Sequence, residues 1–450
     1  MLKKIKLVAA DYLRYQPLVG TVVSDLIGLR DRLSSERSPN QIARSLFALT
    51  AAARLRGREH WSASLETRIR EKLARWSPDG FDWDAFFPNA RPRLIQKSII
   101  LKKPGPAGER GVLFVAFEDN WLRLLRYADL AKLASDYDLV LSPTWSPPHD
   151  VPFLLAVKLW PGTLCTILSN LDDEPVFHRL APNVVTVRLL ASSWVQPEIF
   201  APRPDVQKQH DIAILANFAI YKRHFALFRA MSQMRRRPRL LVIGHQLQGR
   251  TAETVMEEAK MFGVAENVTI AKGLPDEEMI RALQASRVSV IFSMGEGSCV
   301  AVTESLFADV PVGLLEGANV GSRAFINPQT GCFLRSGHIP EDLEQFIERS
   351  ATYSPRAWML EHGVSYKASS RILNDALKRV ALEQGRPWTA GIAPMHWRPH
   401  PTFESAEDRE AMRDAYARFE ADYGIPIEPD GGRGIGAPSP GRPQTAEPGS

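Results

Sequence analysis

The sequence is 450 residues long, which is more than one hydrophobic core usually supports, so two main domains with appendages are expected. Hydrophobic residues make up 44% and charged residues 24%, values that exclude a disordered chain or a membrane-embedded bundle as the overall class. Cys165, Cys299 and Cys332 are far apart and form no Cys-x-x-Cys pair, which argues against a disulfide framework and a zinc site. We therefore expect a globular protein of the reducing cytoplasm.

The net charge of +5 is concentrated near the N-terminus. Residues 1–100 contain 18 Lys and Arg but 10 Asp and Glu, an excess of +8 that leaves −3 for the other 350 residues. Two interpretations stay open: a peripheral contact with an anionic partner such as the inner face of a membrane, or ordinary solvated helix faces. Nucleic acid is not an expected partner, because no basic stripe is interleaved with aromatic residues. The sequence contains no run of about 18 apolar residues, so no membrane-spanning helix is predicted.

The first half of the chain divides into two regions. Residues 1–92 are predicted to form a helical extension, because apolar residues recur at steps of three and four. From 93 to 200, short apolar runs alternate with helical stretches. Strands are predicted at 111–117, 138–141, 163–168 and 183–187, and helices at 122–134 and 151–159. This alternation predicts a parallel sheet with helical crossovers.

After a proline-rich linker at 197–210, the alternation begins again and predicts a second domain over 205–350. Its expected strands are 211–215, 239–244, 267–270, 288–292 and 310–315, and its expected helices are 222–234, 251–262, 276–285, 300–307 and 340–349. Further helices are predicted over 351–425. Residues 426–450 are rich in Gly and Pro and are predicted to be a disordered tail. Two such sheets bind ligands beyond the carboxyl ends of their strands, so a cleft between them is the expected site.

The loop after the strand 288–292 carries the clearest binding signal. Glu296 lies in this loop, Gly297 permits close backbone approach, and the following helix presents N–H groups at Ser298, Cys299 and Val300. An anion can bind there without a metal. Glu304, one turn inside the helix, would be repelled by a diphosphate, so we expect its carboxylate to accept hydrogen bonds from sugar hydroxyls.

Lys222 and Arg223 form a cationic turn after the first strand of this domain. Cations at a helix start oppose the helix dipole, so their presence is explained if a diphosphate binds there. Gly244 ends the next strand and is interpreted either as a turn residue or as a contact residue. Cys299 is interpreted either as a thiol with a lowered pKa at a helix start or as a small residue that lets a ligand approach.

Together these segments resemble glycosyltransferase family 4 (glycosyl transferases group 1), which has the GT-B architecture. The matching segments are Tyr221-Lys-Arg-His224, Leu241-Val-Ile-Gly244, Asn267-Val-Thr-Ile-Ala-Lys-Gly273, the Glu296-x7-Glu304 pair with Asp309-Val-Pro-Val, and Thr330-Gly331. The resemblance covers 211–350 in detail and 95–200 only in layout. It implies an α/β fold of two doubly wound Rossmann-like domains facing across a cleft. The first would bind the acceptor and the second the nucleotide-sugar donor, with the helices of 351–425 packing back on the first.

The resemblance also implies a role for each candidate residue. Lys222 and Glu296 would be catalytic: Lys222, with Arg223, would bind the diphosphate, and Glu296 would bind a hydroxyl of the transferred sugar. Donor-binding residues would be Arg223, Gly244, Gly297, Ser298, Cys299, Val300 and Glu304, the last on the ribose. Transfer would retain the anomeric configuration without a metal or other cofactor, and the leaving phosphate would accept the acceptor's proton. The expected acceptor is a glycan or a lipid-linked sugar.

Two departures from the family pattern keep an alternative open. Asn217 stands where the family commonly has an arginine, and the turn directly after the strand 163–168 contains no histidine. A non-catalytic nucleotide-sugar-binding or scaffold protein of the same fold is therefore the alternative function. A nucleotide-sugar epimerase is a further one, but the sequence offers no set of acid and base residues for it.

Overall fold

The computed structural model describes residues 2–56, 63–143, 150–181, 183–398 and 400–429. Within them the chain forms two compact units. The first unit comprises residues 6–191 and 369–429, and the second unit comprises residues 192–368 together with residues 2–5. Residues 430–450, most of the predicted tail, lie outside the described residues.

The predicted N-terminal extension is helical. Its helices are α1 (Leu2–Tyr15), α2 (Pro17–Arg32), α3 (Pro39–Arg56), α4 (Ala63–Arg75) and α5 (Trp83–Phe86). Helix α2 packs closely on α3 at Gly20. A Cβ at this position would lie only 2.4 Å from the carbonyl oxygen of Leu55, so a larger residue would not fit. Arg68 and Lys72 of α4 both pair with the buried Asp31 of α2. No helix in the described part of the chain is long and apolar enough to span a bilayer.

A five-stranded sheet forms the centre of the first unit. Its elements in chain order are β1 (Ile95–Gln96), β2 (Ile99–Lys102), β3 (Gly111–Ala116), α6 (Glu118–Tyr127), α7 (Leu130–Asp136), β4 (Tyr137–Ser142), α8 (Val151–Leu159), β5 (Leu164–Leu168), α9 (Glu174–Leu180) and β6 (Val184–Leu190). The strand order is β2-β3-β4-β5-β6, with β2 antiparallel to β3 and the other neighbours parallel. Every residue of β3, β4 and β5 is buried.

One predicted helix of this unit is wrong in extent. The predicted helix 122–134 is two helices, α6 and α7, separated at Ala128 and Asp129. The side chain of Asp129 accepts the N–H of Lys132 and so caps a new helix start. The apolar periodicity continues across this cap, which is why the pattern alone predicts one helix.

The second unit has a six-stranded parallel sheet. Its elements are β7 (His210–Leu215), α10 (His224–Met231), β8 (Leu240–Gly244), α11 (Ala252–Phe262), β9 (Val268–Lys272), α12 (Asp276–Gln284), β10 (Ser286–Ile291), β11 (Gly295–Glu296), α13 (Val300–Phe307), β12 (Val312–Leu315), β13 (Asn319–Val320), β14 (Gly331–Leu334), α14 (Ile339–Glu348) and α15 (Pro355–Glu361). The sheet order is β14-β12-β10-β7-β8-β9. This is the Rossmann strand order, which reverses direction between β7 and β10.

The C-terminal part comprises α16 (Tyr366–Glu383), β15 (Met395–Trp397), β16 (Pro401–Phe403), α17 (Ala406–Ala411), α18 (Arg413–Tyr423) and β17 (Ile427–Glu428). From residue 369 it packs within the first unit, where Arg386 pairs with Asp138 and the Tyr423 hydroxyl donates to Asp136 at 2.7 Å. Strand β17 pairs with β1, so ordered backbone extends past residue 426, where the predicted tail begins. Burial of Ile427 against the unit explains this difference.

Two Rossmann-like sheets, one in each unit, follow a helical N-terminal extension. These features confirm the predicted α/β fold class. The second sheet is the one with a topological switch point, and the predicted site residues lie in that unit.

Candidate functional site

The candidate site lies at the switch point of the second sheet. Strands β7 and β10 are adjacent and parallel, and the chain leaves their carboxyl ends toward opposite sides of the sheet. The two loops that follow, 216–223 and 292–299, therefore begin side by side. Crevices at such points are where open α/β sheets bind ligands. Both loops contain residues that the sequence singles out.

Lys222 and Glu296 meet across this switch point. The Lys222 Nζ lies 2.6 Å from the Glu296 Oε2, and the two side chains are only 12% and 11% exposed. The hydroxyl of Ser293 donates to the other carboxylate oxygen, Oε1. Burial by itself lowers the pKa of Lys222, but the charge of Glu296, its hydrogen bond to Lys222 and the nearby Cys299 and Tyr221 together outweigh burial, so the pKa is raised and the side chain stays cationic. Since a buried ion pair contributes little net stability, its position at the switch point of the sheet favours a functional role.

The loop before α10 is shaped by its own side chains. Asn217 Oδ1 accepts the N–H of Ala219 at 3.1 Å, and its Nδ2 donates to the Tyr221 hydroxyl at 3.3 Å. Arg223 has a φ of 56°, a left-handed conformation that is costly for a residue with a Cβ. Its guanidinium donates to the carbonyl of Phe292 at 3.0 Å, at the end of β10. The loop is thus tied to the neighbouring strand.

The predicted start of the helix at Lys222 is corrected by this loop. Residues Ile220–Lys222 form a single 3-10 turn, and α10 begins only at His224. The left-handed Arg223 separates the turn from the helix and prevents one continuous helix. Lys222 therefore lies before the helix rather than in its first turn.

The second loop is fixed by a short two-stranded ribbon. Strands β11 and β13 pair in parallel and match Gly295 with Asn319. The carbonyl of Gly297 accepts the N–H of Gly321 at 2.7 Å, and the Ser322 hydroxyl donates to the carbonyl of Cys299 at 2.9 Å. Glu296 is thus held on a braced backbone. The sequence analysis did not predict this bracing, because the 319–322 segment carries no helical or strand periodicity.

Helix α13 begins directly after this loop. No side chain caps its N-terminus, which leaves N–H groups of the first turn for other acceptors. Cys299, its N-cap residue, is left-handed with a φ of 49°. Ser298 is buried, and its hydroxyl accepts the N–H of Ser192 at 2.6 Å, so this side chain is already engaged within the unit. Non-glycine residues with positive φ precede both helices of the site, a pattern found at functional loops.

The lowered thiol pKa considered for Cys299 is wrong. Burial raises its pKa well above the usual range, and the nearby Glu296 carboxylate raises it further. The negative charge of Glu296 opposes formation of a thiolate, and this outweighs the helix start. The structure therefore favours the other interpretation, a small residue next to the site.

Glu304 and Gly244 lie around this centre with different roles. Glu304 is half-buried on α13, four residues after Val300 and so on the same helix face. Side chains lean toward the N-terminus of their helix, which directs this carboxylate toward the helix start. At Gly244 a Cβ would lie 2.0 Å from the carbonyl oxygen of Ala216, so close backbone approach alone explains the glycine.

Sequence reasoning missed two site residues. Ser293 positions Glu296, and its signal is its place directly after a predicted buried strand. His224 is 1% exposed, and neither ring nitrogen has a hydrogen-bond partner among the described residues. Burial lowers its pKa to about 3, with Arg250 and then Lys222 adding to the effect. The imidazole is therefore neutral, although it directly follows the cationic residues Lys222 and Arg223.

One comparison with known proteins matches part of the second unit to a family model. Residues 195–350 match the family model described as Glycosyl transferases group 1. The matched segment is about a third of the chain and contains every candidate site residue. No curated protein matches the sequence at a significant level.

Three solved structures have a similar fold over part of the chain. A sucrose-phosphate synthase from Thermosynechococcus elongatus is 14% identical with a TM-score of 0.48, over 61% of this chain and 73% of that one. Anabaena HepE in complex with UDP is 12% identical with a TM-score of 0.46, over 60% and 78%. The lipopolysaccharide outer core galactosyltransferase WaaB is 13% identical with a TM-score of 0.45, over 70% and 82%.

Proposed function

We propose that this protein transfers a glycosyl group from a nucleoside-diphosphate sugar to a glycan or glycolipid acceptor, with retention of configuration and without a metal. The observation that carries the proposal is the Lys222–Glu296 contact at the switch point, inside the segment that matches glycosyl transferases group 1. A cation and an anion held together there provide one group for a phosphate and one for a sugar hydroxyl.

The cationic part of the site would bind the diphosphate. Lys222 has three ammonium donors, so it can bind a phosphate oxygen while keeping its bond to Glu296. Arg223 contributes positive charge from the same turn. The uncapped start of α13 adds N–H groups from Gly297 to Val300, which favour an anion.

The acidic side chains would bind hydroxyl groups. Glu296 is fixed by Ser293 and Lys222, so its carboxylate can orient a hydroxyl of the transferred sugar at low entropic cost. Glu304, directed toward the start of α13, would accept hydrogen bonds from the ribose. Two such charge-assisted bonds fix the donor at both ends of the diphosphate.

In this mechanism the bond between the anomeric carbon and the diphosphate oxygen breaks as charge builds on the leaving phosphate. Lys222 and the N–H groups of α13 stabilise that charge more strongly than the charge of the intact donor. The leaving phosphate takes the proton of the attacking acceptor hydroxyl on the same face of the sugar. Attack on that face retains the configuration.

A donor panel tests the proposal. The full chain would be titrated calorimetrically with sugars carried by UDP, GDP and ADP, and nucleotide release would be followed with glycan and glycolipid acceptors. We expect one donor to bind, acceptor-dependent release that persists in EDTA, and a product with the donor's anomeric configuration by NMR. An inverted product would contradict the retaining mechanism, and loss of activity in EDTA would contradict metal independence.

A non-catalytic donor-binding protein is the second candidate, and Asn217 favours it. Its side chain is engaged within its own loop, at the position where the resemblance implies an arginine for the phosphate. Donor binding without nucleotide release across the whole acceptor panel would support this candidate over the transferase.

A further inference from the structure

Helix α2 presents its large apolar side chains to solvent. Leu18, Val22, Leu26, Leu29 and Leu33 are 78%, 58%, 60%, 55% and 80% exposed. Their spacing of four, four, three and four residues places them on one side of the helix and its C-cap. A helix of a globular protein normally buries such a stripe against its core.

The opposite side of α2 holds the helix in this orientation. Its buried residues are Gly20, Ser24 and Asp31. Asp31 accepts hydrogen bonds from Ser45 and Arg68 and pairs with Lys72. Turning the apolar stripe inward would leave this buried carboxylate without its cations, which is strongly unfavourable. The outward orientation is therefore fixed by the polar contacts.

Helix α1 also exposes large apolar side chains. None of its 14 residues is buried. Leu2, Ile5, Tyr12 and Leu13 are 66%, 53%, 63% and 56% exposed. They recur at helical spacing, and basic residues occupy the adjacent faces of the helix: Lys3, Lys6 and Arg14.

The charges around these helices are mainly positive. Residues 2–33 contain six Lys and Arg and three Asp. Asp31 is buried in its ion pairs, and with all three acids counted the segment still carries a net charge of +3. One of its cations, Lys4, lies over the ring of Phe262 at 4.4 Å. Arg30 and Arg32 are exposed beside the apolar stripe, although Asp25 also lies at its edge. The surface thus combines exposed leucines with an excess of positive charge.

We propose that α1 and α2 lie in the headgroup region of an anionic lipid bilayer. Amphipathic helices with apolar residues on one side and Lys and Arg beside them bind such membranes along the interface. Helices of 14 and 16 residues are too short for the bilayer core, which needs about 20 residues. Pairing with a second copy through this surface would bring the two sets of cations together, which is unfavourable. The inference does not depend on the proposed function.

Vesicle flotation of the full chain tests the proposal. One set of vesicles contains phosphatidylcholine alone, and the other contains phosphatidylglycerol as about a third of the lipid. We expect binding to the anionic vesicles that weakens as salt is added. Leu26→Glu with Leu29→Glu should weaken it at least about tenfold, because two apolar side chains would no longer enter the lipid. Lys3→Gln with Lys6→Gln should weaken it several-fold.

The matched control is Leu382→Glu, which changes a leucine that is also 55% exposed but lies in α16. This variant should bind vesicles as the unchanged chain does, and circular dichroism should be the same for all variants. Equal binding to both kinds of vesicle, or full binding by the Leu26→Glu, Leu29→Glu variant, would overturn the proposal. So would a dimer that this variant dissociates in the absence of vesicle binding. Donor titration of the same preparations reports separately on the proposed function.

Discussion

The five-stranded and the six-stranded sheet differ in one topological property. In the second unit the strand order reverses between β7 and β10, and oppositely charged side chains from the two following loops meet there. In the first unit the parallel strands β3, β4, β5 and β6 follow one another in chain order without a reversal. A reversal separates two successive crossovers onto opposite faces of a sheet and leaves a crevice between them.

Two asparagines that follow strands of the first sheet form hydrogen bonds with its backbone. Asn120, beyond β3, donates to the carbonyl of Ala116 at 2.8 Å, and Asn170, beyond β5, accepts the N–H of Asp172 at 3.1 Å. In the second sheet, by contrast, the Lys222–Glu296 contact joins charged side chains from two loops. The comparison predicts that donor affinity depends on the switch-point residues.

The largest expected effect is that of Lys222→Gln. The amide keeps a hydrogen-bonding group near Glu296 but removes the charge that would stabilise the leaving diphosphate. We expect acceptor-dependent nucleotide release to slow by about 10²–10³-fold, the range for loss of one group that stabilises transition-state charge. Steady-state release assays measure this.

The control for Lys222→Gln is Lys260→Gln, a change at a lysine on α11 that is 59% exposed. It should leave the rate unchanged. A Lys222→Gln enzyme of normal rate and normal melting temperature would show that the switch-point cation does not act on the leaving group.

A smaller effect is expected for Glu304→Ala. Loss of its hydrogen bonds to the ribose should weaken donor binding by about 1.5–3 kcal/mol. Isothermal titration with the donor measures this difference. Glu257→Ala, at an acid on α11 that is 66% exposed, is the matched control. An unchanged dissociation constant for Glu304→Ala would show that this side chain of α13 does not bind the donor.

His224→Phe tests the buried imidazole beneath the cationic turn. The pKa of His224 is lowered to about 3, so the folded protein keeps it neutral, whereas the unfolded chain binds a proton below about pH 6.5. The contribution of His224 to the free energy of unfolding is therefore fully present above about pH 6.5 and is lost as the pH falls toward about 3. Because His224 is protonated only in the unfolded chain over this range, the free energy of unfolding should fall by about 2 kcal/mol between pH 7 and pH 5.

Urea unfolding at the two pH values measures this prediction. In His224→Phe the loss of stability between pH 7 and pH 5 should be smaller by about 2 kcal/mol, whatever the substitution costs at pH 7. The exposed His338→Phe should retain the full pH dependence. An equal pH dependence in His224→Phe and the unchanged chain would show that the imidazole is not kept neutral by folding.

Much of the fold and the principal site charges could be predicted from the sequence. Strands such as β3 and helices such as α8 follow from local apolar runs, because burial patterns repeat with the period of the element. Lys222 and Glu296 were predicted from their places after strands. Their direct contact was not, because it joins residues 74 positions apart and depends on the order of the strands in the sheet.

Other features depend on tertiary contacts that leave a weak trace in the sequence. The apolar residues of α2 have ordinary helical spacing, yet the buried Asp31 decides which side faces inward. The pKa of Cys299 is raised by burial and then by the charge of Glu296, whatever its position at a helix start. Spacing therefore predicted which elements form, and long-range ion pairs decided how α2 and Cys299 behave.

The smallest expected effect concerns Asn217, which distinguishes loop formation from phosphate binding. Asn217→Ala removes the bond from its Oδ1 to the N–H of Ala219 and should lower stability by about 0.5–1.5 kcal/mol, measured by urea unfolding. Asn217→Asp keeps an acceptor and should retain most of that stability, so it is the matched control. If Asn217 only shapes the loop, donor affinity should follow stability in both variants. A loss of affinity in Asn217→Asp at unchanged stability would instead indicate repulsion of a nearby phosphate, and would place this side chain in direct reach of the diphosphate.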